Sequence, residues 1–341
     1  MKRKIFFPGL VRPFVTAFAF LVLSPMILHA CDFCGAFMGV TPFDNKNSFA
    51  LTHRYRVFNG YQAMNQNSQL FPAGSYRLAA PPSVLHGTSP HSAPEMSKSD
   101  FESFKVFELR SKYFIHPRIE INALIPFVNN KQKAMGQETS VSGFGDASLF
   151  IGWHAIQKLE DVKVRQRLIL GAGIKIPTGK SNFAYDDGDR IPVMLQAGTG
   201  STDGFLYASY TAAKSGWRWG ATVLGKYNGT NKYGEQLRPS TVNSAFAAYQ
   251  FRSCSWVFLP QLQVYEEYTN GLQEGAELVE GTGMNMILAG PGVDVYRKNF
   301  GINLSAQLPV YQKTAEMNMK TSGRLVIGIS YSFDAAKYLF K

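Results

Sequence analysis

A chain of 341 residues that is 45% hydrophobic and 13% aromatic carries too many large apolar side chains to be disordered. At 17% charged it also falls below the ~25% of an average soluble domain. The formal charge of +11 comes without a basic helix or an aromatic–basic constellation, so nucleic acid is not an expected partner.

Met1-Lys2-Arg3-Lys4, with Arg12 behind it, precedes a largely apolar run from Phe14 to Leu28 and the small residue Ala30. The run is short for a spanning helix and Pro25 interrupts it, so residues 1–30 read as a secretory signal peptide. Losing its four bases lowers the net charge from +11 to +7. Leu28-His29-Ala30-Cys31 resembles a lipobox, in which Cys31 would be acylated. Ordinary cleavage would instead leave Cys31-Asp32-Phe33-Cys34 as a C-x-x-C pair in an oxidising compartment, suited to a disulfide, a metal or a redox site. Both readings stay open, and Cys254 is the thiol left over if Cys31 pairs with Cys34. Residues 31–47 are the expected N-terminal periplasmic segment.

No stretch after residue 30 reaches 18 consecutive apolar residues, so no spanning helix is expected. Alternation with period two recurs instead, near 48–59, 103–116, 118–127, 144–156, 165–176, 203–213, 217–228, 240–252, 255–268, 284–296, 300–311 and 324–333. Successive side chains of a strand point to opposite faces, so these are twelve strands, each with an apolar and a polar or small face. Glycine (31), tyrosine (16) and phenylalanine (26) suit them.

The connections alternate strictly between short ones (116–117, 157–164, 214–216, 253–254, 297–299) and long ones (60–102, 128–143, 177–202, 228–239, 269–283, 312–322). A β-sandwich has no reason to put every long loop at one end. A transmembrane β-barrel does so, with short periplasmic turns and longer outer loops. The fold class is therefore all-β, an antiparallel transmembrane barrel of about 12 strands over residues 48–334, with 335–341 as a C-terminal tail. Such a barrel has a backbone radius of about 12 Å, and the region 61–101 is long enough to fold into it.

Phe107, Leu109, Tyr113 and Ile115 share one face of the second strand, and Glu108, Arg110 and Lys112 the other. Charge facing lipid is costly near the midplane, so the charged face should line the lumen, either as internal pairs or as a constriction that selects solutes. Arg118, Glu120, Arg167 and Lys175 continue this lining. Tyr55, Phe58 and Tyr61, Trp217 and Trp219, Tyr265 and Tyr268, and Tyr331 and Phe333 cluster near strand ends as interfacial girdles do.

Three phrases carry a family resemblance: Gly143-Phe144-Gly145-Asp146, then Gly171-Ala172-Gly173-Ile174-Lys175-Ile176-Pro177-Thr178-Gly179-Lys180, then Gln196-Ala197-Gly198-Thr199-Gly200-Ser201-Thr202-Asp203. In that order they resemble the outer-membrane β-barrel family labelled "transporter" or "MetA-pathway of phenol degradation", over roughly residues 45–334. Cys31-Asp32-Phe33-Cys34-Gly35 resembles a subgroup from Bacteroidetes-type bacteria. The resemblance implies a channel-like protein of a Gram-negative outer membrane, with hydrophobic or aromatic compounds among its solutes and no catalytic residues.

Other chemistry is sparse. His154 shares a strand face with Ser148 and Asp146, but about 20 and 26 Å away along a strand, so it reads as a lumen or rim residue rather than part of a triad. His86 and His91, with Met64 and Met96 nearby, are the candidate ligands for a copper-type metal, or solvated loop histidines. Asp186-Asp187-Gly188-Asp189 lacks the later glutamate of a calcium loop and reads as a polar outer loop. Gly179, Gly198 and Gly200 are turn or bulge formers. The expected protein is not an enzyme, needs no cofactor, and has membrane lipid and a small solute as partners. Metal handling through His86, His91, Cys31 and Cys34, or a plugged structural or adhesive barrel, are the alternatives.

Overall fold

The computed structural model describes residues 45–61, 99–134, 137–160, 162–279, 282–314 and 319–334. Residues 1–30, Cys31, Cys34, His86 and His91 lie outside them. So does nearly all of the region 61–101, including its expected entry into the barrel.

Twelve wall strands run β1 (Asn47–Tyr61), β2 (Phe101–His116), β3 (Ile119–Ala134), β4 (Gln137–Phe144, continuing as Ala147–Lys158), β5 (Arg165–Ile176) and β6 (Asp203–Lys214). They continue as β7 (Trp217–Asn228), β8 (Ser240–Tyr249, continuing as Phe251–Ser253), β9 (Trp256–Thr269), β10 (Met284–Arg297), β11 (Phe300–Thr314) and β12 (Met319–Phe333). Each pairs antiparallel with the next, and β12 returns to β1 from Asn47–Phe333 onward, closing the barrel. Closure leaves no open edge, which is what allows a sheet to stand in hydrocarbon.

The register explains why these residues form these strands. Ile302, Ile329, Leu51, Leu109 and Ile125 lie directly opposite one another across β11, β12, β1, β2 and β3, and all five are exposed. One residue along, Thr52 and Glu108 are buried. An apolar belt outside and polar groups inside is the inverse of a soluble protein and fits lipid as the outer solvent. Leu109→Arg is expected to destabilise the folded barrel by about 2–4 kcal/mol, the cost of a base at the midplane. Urea titration of the barrel refolded in lipid vesicles measures it, and an unchanged midpoint would mean that Leu109 does not face lipid.

Rings collect at the rim of the short turns. Phe49 stacks on Phe333 at 5.6 Å, Phe300 meets Tyr331 at 5.0 Å, and Trp217 meets Tyr249 at 5.2 Å. This is an interfacial girdle. Phe58 and Tyr265, expected in girdles, are buried in the interior instead. Each lies on the inward parity of its strand.

Two long connections are largely strand. Pairing between β3 and β4 runs from Phe127–Phe144 to Ala134–Gln137, and β11 and β12 extend to Thr314 and Met319. The segment Asn129-Asn130-Lys131-Gln132-Lys133 is polar on both faces, because it projects beyond the hydrocarbon. Its alternation is therefore silent in the sequence. Loops 229–239 and 270–283 carry a small sheet of Glu235–Leu237, Leu272–Glu274 and Glu277–Leu278 on the outer side.

Candidate functional site

The site is the barrel interior beneath loop 177–202, and the loop enters because of a bulge. Phe144 and Leu149 both face outward on β4, five residues apart, so the alternation resets between them. The extra residue sits at Gly145-Asp146, where Gly145 N–H donates to Pro126 O at 2.9 Å. A β-carbon on Gly145 would lie 3.0 Å from Ala197 O. A bulge re-aims side chains, and here it turns Asp146 into the interior, 7% exposed.

Asp146 then holds both legs of the loop. Its Oδ1 accepts from Gly179 N–H at 3.0 Å, and its Oδ2 from Thr199 N–H and Oγ1 at 2.9 Å each. Lys175 Nζ donates to Oδ2 at 2.5 Å and also bonds Thr199 Oγ1. Lys175 and Lys226 each lie 2.9 Å from Asp203 Oδ2, and Ser201 Oγ donates to Asp203 Oδ1 at 2.8 Å. The three phrases that carry the family resemblance thus converge on one buried network. The legs cross so closely that a β-carbon on Gly198 would meet Gly179 Cα at 2.7 Å and Asp146 Oδ1 at 2.5 Å. Gly200 has φ +75°, where glycine is favoured.

Inside, Ile191, Leu195 and Ala197 pack on Val106, Val128 and Val141, while Val193 packs on Leu237 and Leu272 of the outer loops. Asn130 Nδ2 donates to Leu195 O at 3.1 Å. Gln196 accepts from Phe183 N–H and donates to Ile191 O. Burial pushes the Tyr185 phenol up to about 12, with Asp187 adding to the shift. Asp186-Asp187-Gly188-Asp189 is the exposed tip, closed by Tyr185 N–H to Asp189 O at 2.8 Å. Arg190 ties the loop to its neighbour through Glu235 at 2.5 Å and the Tyr233 ring at 3.8 Å.

Under the loop lies a cavity of about 220 Å³. Its apolar wall includes Phe58, Phe104, Val128, Met194, Met284 and Met319, and its charged part includes Arg54, Arg56, Glu108 and Glu267. The charges are paired. Arg54 reaches Glu108 at 3.1 Å, Arg110 bonds the same carboxylate, and Arg56 reaches Glu267 at 2.9 Å. Tyr265 OH donates to Glu267 at 3.1 Å, and Arg324 lies over the Tyr265 ring at 4.3 Å. Nearer the periplasm, His154 is fully buried 3.1 Å from Glu120, and Arg167 donates to Asn45 at 3.0 Å.

The structure places Glu108, Glu120, Arg167 and Lys175 in the interior as buried groups, with Arg110 and Lys112 half-buried beside them. They fall into separate clusters rather than one ring. Arg118 is a correction: it occupies the turn between β2 and β3 and is exposed. The strand expected from residue 118 begins at Ile119, one residue later, so Arg118 falls in the turn, where alternation does not hold. Arg54, Arg56, Asp203, Lys226, Glu267 and Arg324 were not singled out. Arg54 and Arg56 alternate with His53 and Tyr55 just as Glu108 does with Leu109, so the signal was present. Cys254 is an exposed free thiol in the turn between β8 and β9.

No protein-family model and no curated protein matches this chain. Among solved structures, an outer membrane channel from Pseudomonas putida F1 is similar with a TM-score of 0.60 and 13% identity, over 86% of this chain and all of that one. The beta domain of the Bordetella autotransporter BrkA is similar at TM-score 0.46 and 10% identity, over 85% of this chain and all of the other. The first likeness is one of fold. The closed twelve-stranded wall with its lipid-facing belt makes this chain a β-barrel of a Gram-negative outer membrane.

Proposed function

We propose that the barrel passes a small solute across the outer membrane through the cavity beneath loop 177–202, and that the solute is largely apolar with one polar group. The cavity's divided lining supports this, with aromatic, aliphatic and thioether groups on one side and paired charges on the other. Ligand sites are mostly apolar with a few placed polar groups. At 220 Å³ the space exceeds the roughly 150 Å³ that accommodates benzene. The likeness in fold to the Pseudomonas outer membrane channel points the same way. The reading is of a conduit rather than an enzyme, since the interior imidazole of His154 is sealed against Glu120 and Phe114.

Single-channel recording tests it. A small conductance is expected, blocked by a millimolar aromatic alcohol and not by a sugar of similar mass. Equal block by both would refute the apolar preference. A barrel with neither conductance nor binding would be the plugged structural one, a reading that the inward loop also supports. Copper dependence lost on replacing His86 and His91 would instead support metal handling.

A further inference from the structure

Outside the lumen, the charged groups of the wall are unevenly distributed. Lys105 on β2, Lys131 and Lys133 on β3, Lys313 on β11 and Lys320 on β12 all lie toward the outer ends of their strands. They are on the outward parity. Lys105 follows the exposed series of Phe107 and Leu109, and Lys131 and Lys133 alternate with the buried Asn130 and Gln132. Lys320 alternates with the buried Met319 and Thr321, and Lys313 follows the exposed Tyr311. Because β12 pairs with β1 and β1 with β2, these strands are contiguous, and the lysines form one arc over β11, β12, β1, β2 and β3.

The arc begins where the apolar belt ends. Lys105 is two residues beyond Phe107, and Lys313 is two beyond Tyr311. Lys105 Nζ sits 5.5 Å from the centre of the Tyr55 ring, an aromatic–cation arrangement suited to a headgroup boundary. Lys131 pairs with the exposed Glu138 at 3.0 Å. Lys133, Lys313 and Lys320 have no ion pair among the described residues. The far wall differs. The outward positions Ile176, Gly204, Tyr227, Thr241 and Tyr268 near the outer ends of β5–β9 carry no base, and Glu266 adds an acid.

We propose that this arc binds the phosphate groups of an anionic lipid in the outer leaflet, anchoring one side of the barrel to a phosphorylated headgroup. Several ammonium groups at headgroup depth on adjacent strands match a ligand carrying more than one phosphate. Bases near a charged membrane surface each contribute about fivefold in affinity, and a shared headgroup makes their contacts intramolecular. The inference does not depend on what the lumen carries.

The test uses the full-length barrel refolded in a neutral detergent and titrated with bisphosphorylated lipid A, its dephosphorylated form, or inorganic phosphate. Bound lipid is read by native mass spectrometry. The triple variant Lys133→Gln/Lys313→Gln/Lys320→Gln is expected to bind lipid A about a hundredfold more weakly. A charge-matched control at the periplasmic turns, Lys158→Gln/Lys214→Gln/Lys298→Gln, is expected to bind like the parent. Inorganic phosphate at equal concentration is expected not to displace the lipid. The heat-modifiable band of a folded barrel confirms that each variant has folded. Equal binding by the triple variant and the parent, equal loss in the control, or undiminished binding of the dephosphorylated lipid would overturn the proposal.

Discussion

Asp146→Ala is expected to release loop 177–202 from the lumen and to raise single-channel conductance severalfold, while the barrel itself stays folded. The carboxylate accepts from both legs of the loop, at Gly179 N–H and at the backbone and hydroxyl of Thr199, and it pairs with Lys175. Removing one partner of a buried ion pair costs about 3–5 kcal/mol. The loop's apolar anchors, Ile191, Leu195 and Ala197, occupy only part of the cavity wall, so a loss of that size falls on the loop first. The wall is held by strand ladders that Asp146 does not join. Two measurements settle it. Conductance in planar bilayers reports the bore, and protease cleavage after Arg190 reports the loop. Both are expected to increase together. A variant with parental conductance and a protected loop would show that the loop is held by packing alone.

The second large effect is on charge. Glu108 is 2% exposed and serves two guanidinium groups, Arg54 at 3.1 Å and Arg110 beside it. Glu108→Gln keeps the shape and leaves both bases without their carboxylate. A destabilisation of about 3–5 kcal/mol is expected, with the added positive field in the lumen shifting permeation toward anions. The reversal potential in a potassium chloride gradient should move toward that of chloride. Glu108→Gln/Arg110→Gln, which restores the charge balance, should move it back. A reversal potential indifferent to both changes would mean that ions do not pass this cluster.

The wall was legible because lipid imposes a rule on every residue that faces it. Leu109 and Ile329 must be apolar while Glu108 and Gly328 need not be, so period-two alternation marks strand, face and approximate depth together. The rule stops with the lipid. Beyond Phe127, β3 projects into water, its outward positions become Asn129, Lys131 and Lys133, and seven paired residues of each strand, 128–134 and 137–143, read as loop. The same limit explains Arg118, where the pattern was extended into a turn.

Asp146 shows a different kind of limit. Its phrase, Gly143-Phe144-Gly145-Asp146, was conspicuous, yet a bulge decides which way the carboxylate points, and a bulge depends on the partner strand. Nor does loop 177–202 announce its inward course. Ile191, Leu195 and Ala197 are unremarkable apolar residues until Val106, Val128 and Val141 are placed opposite them.

What the sequence by itself determined is therefore whatever the solvent dictates locally: twelve strands, their lipid and lumen faces, and the side on which the longer connections emerge. What only the tertiary structure decided is which distant residues meet. Arg56 and Glu267 are 211 positions apart, and Lys175 lies 29 from Asp146. Such pairs follow from closing the sheet on itself, because closure sets the distance between every pair of inward side chains at once, and no stretch of chain encodes that distance alone.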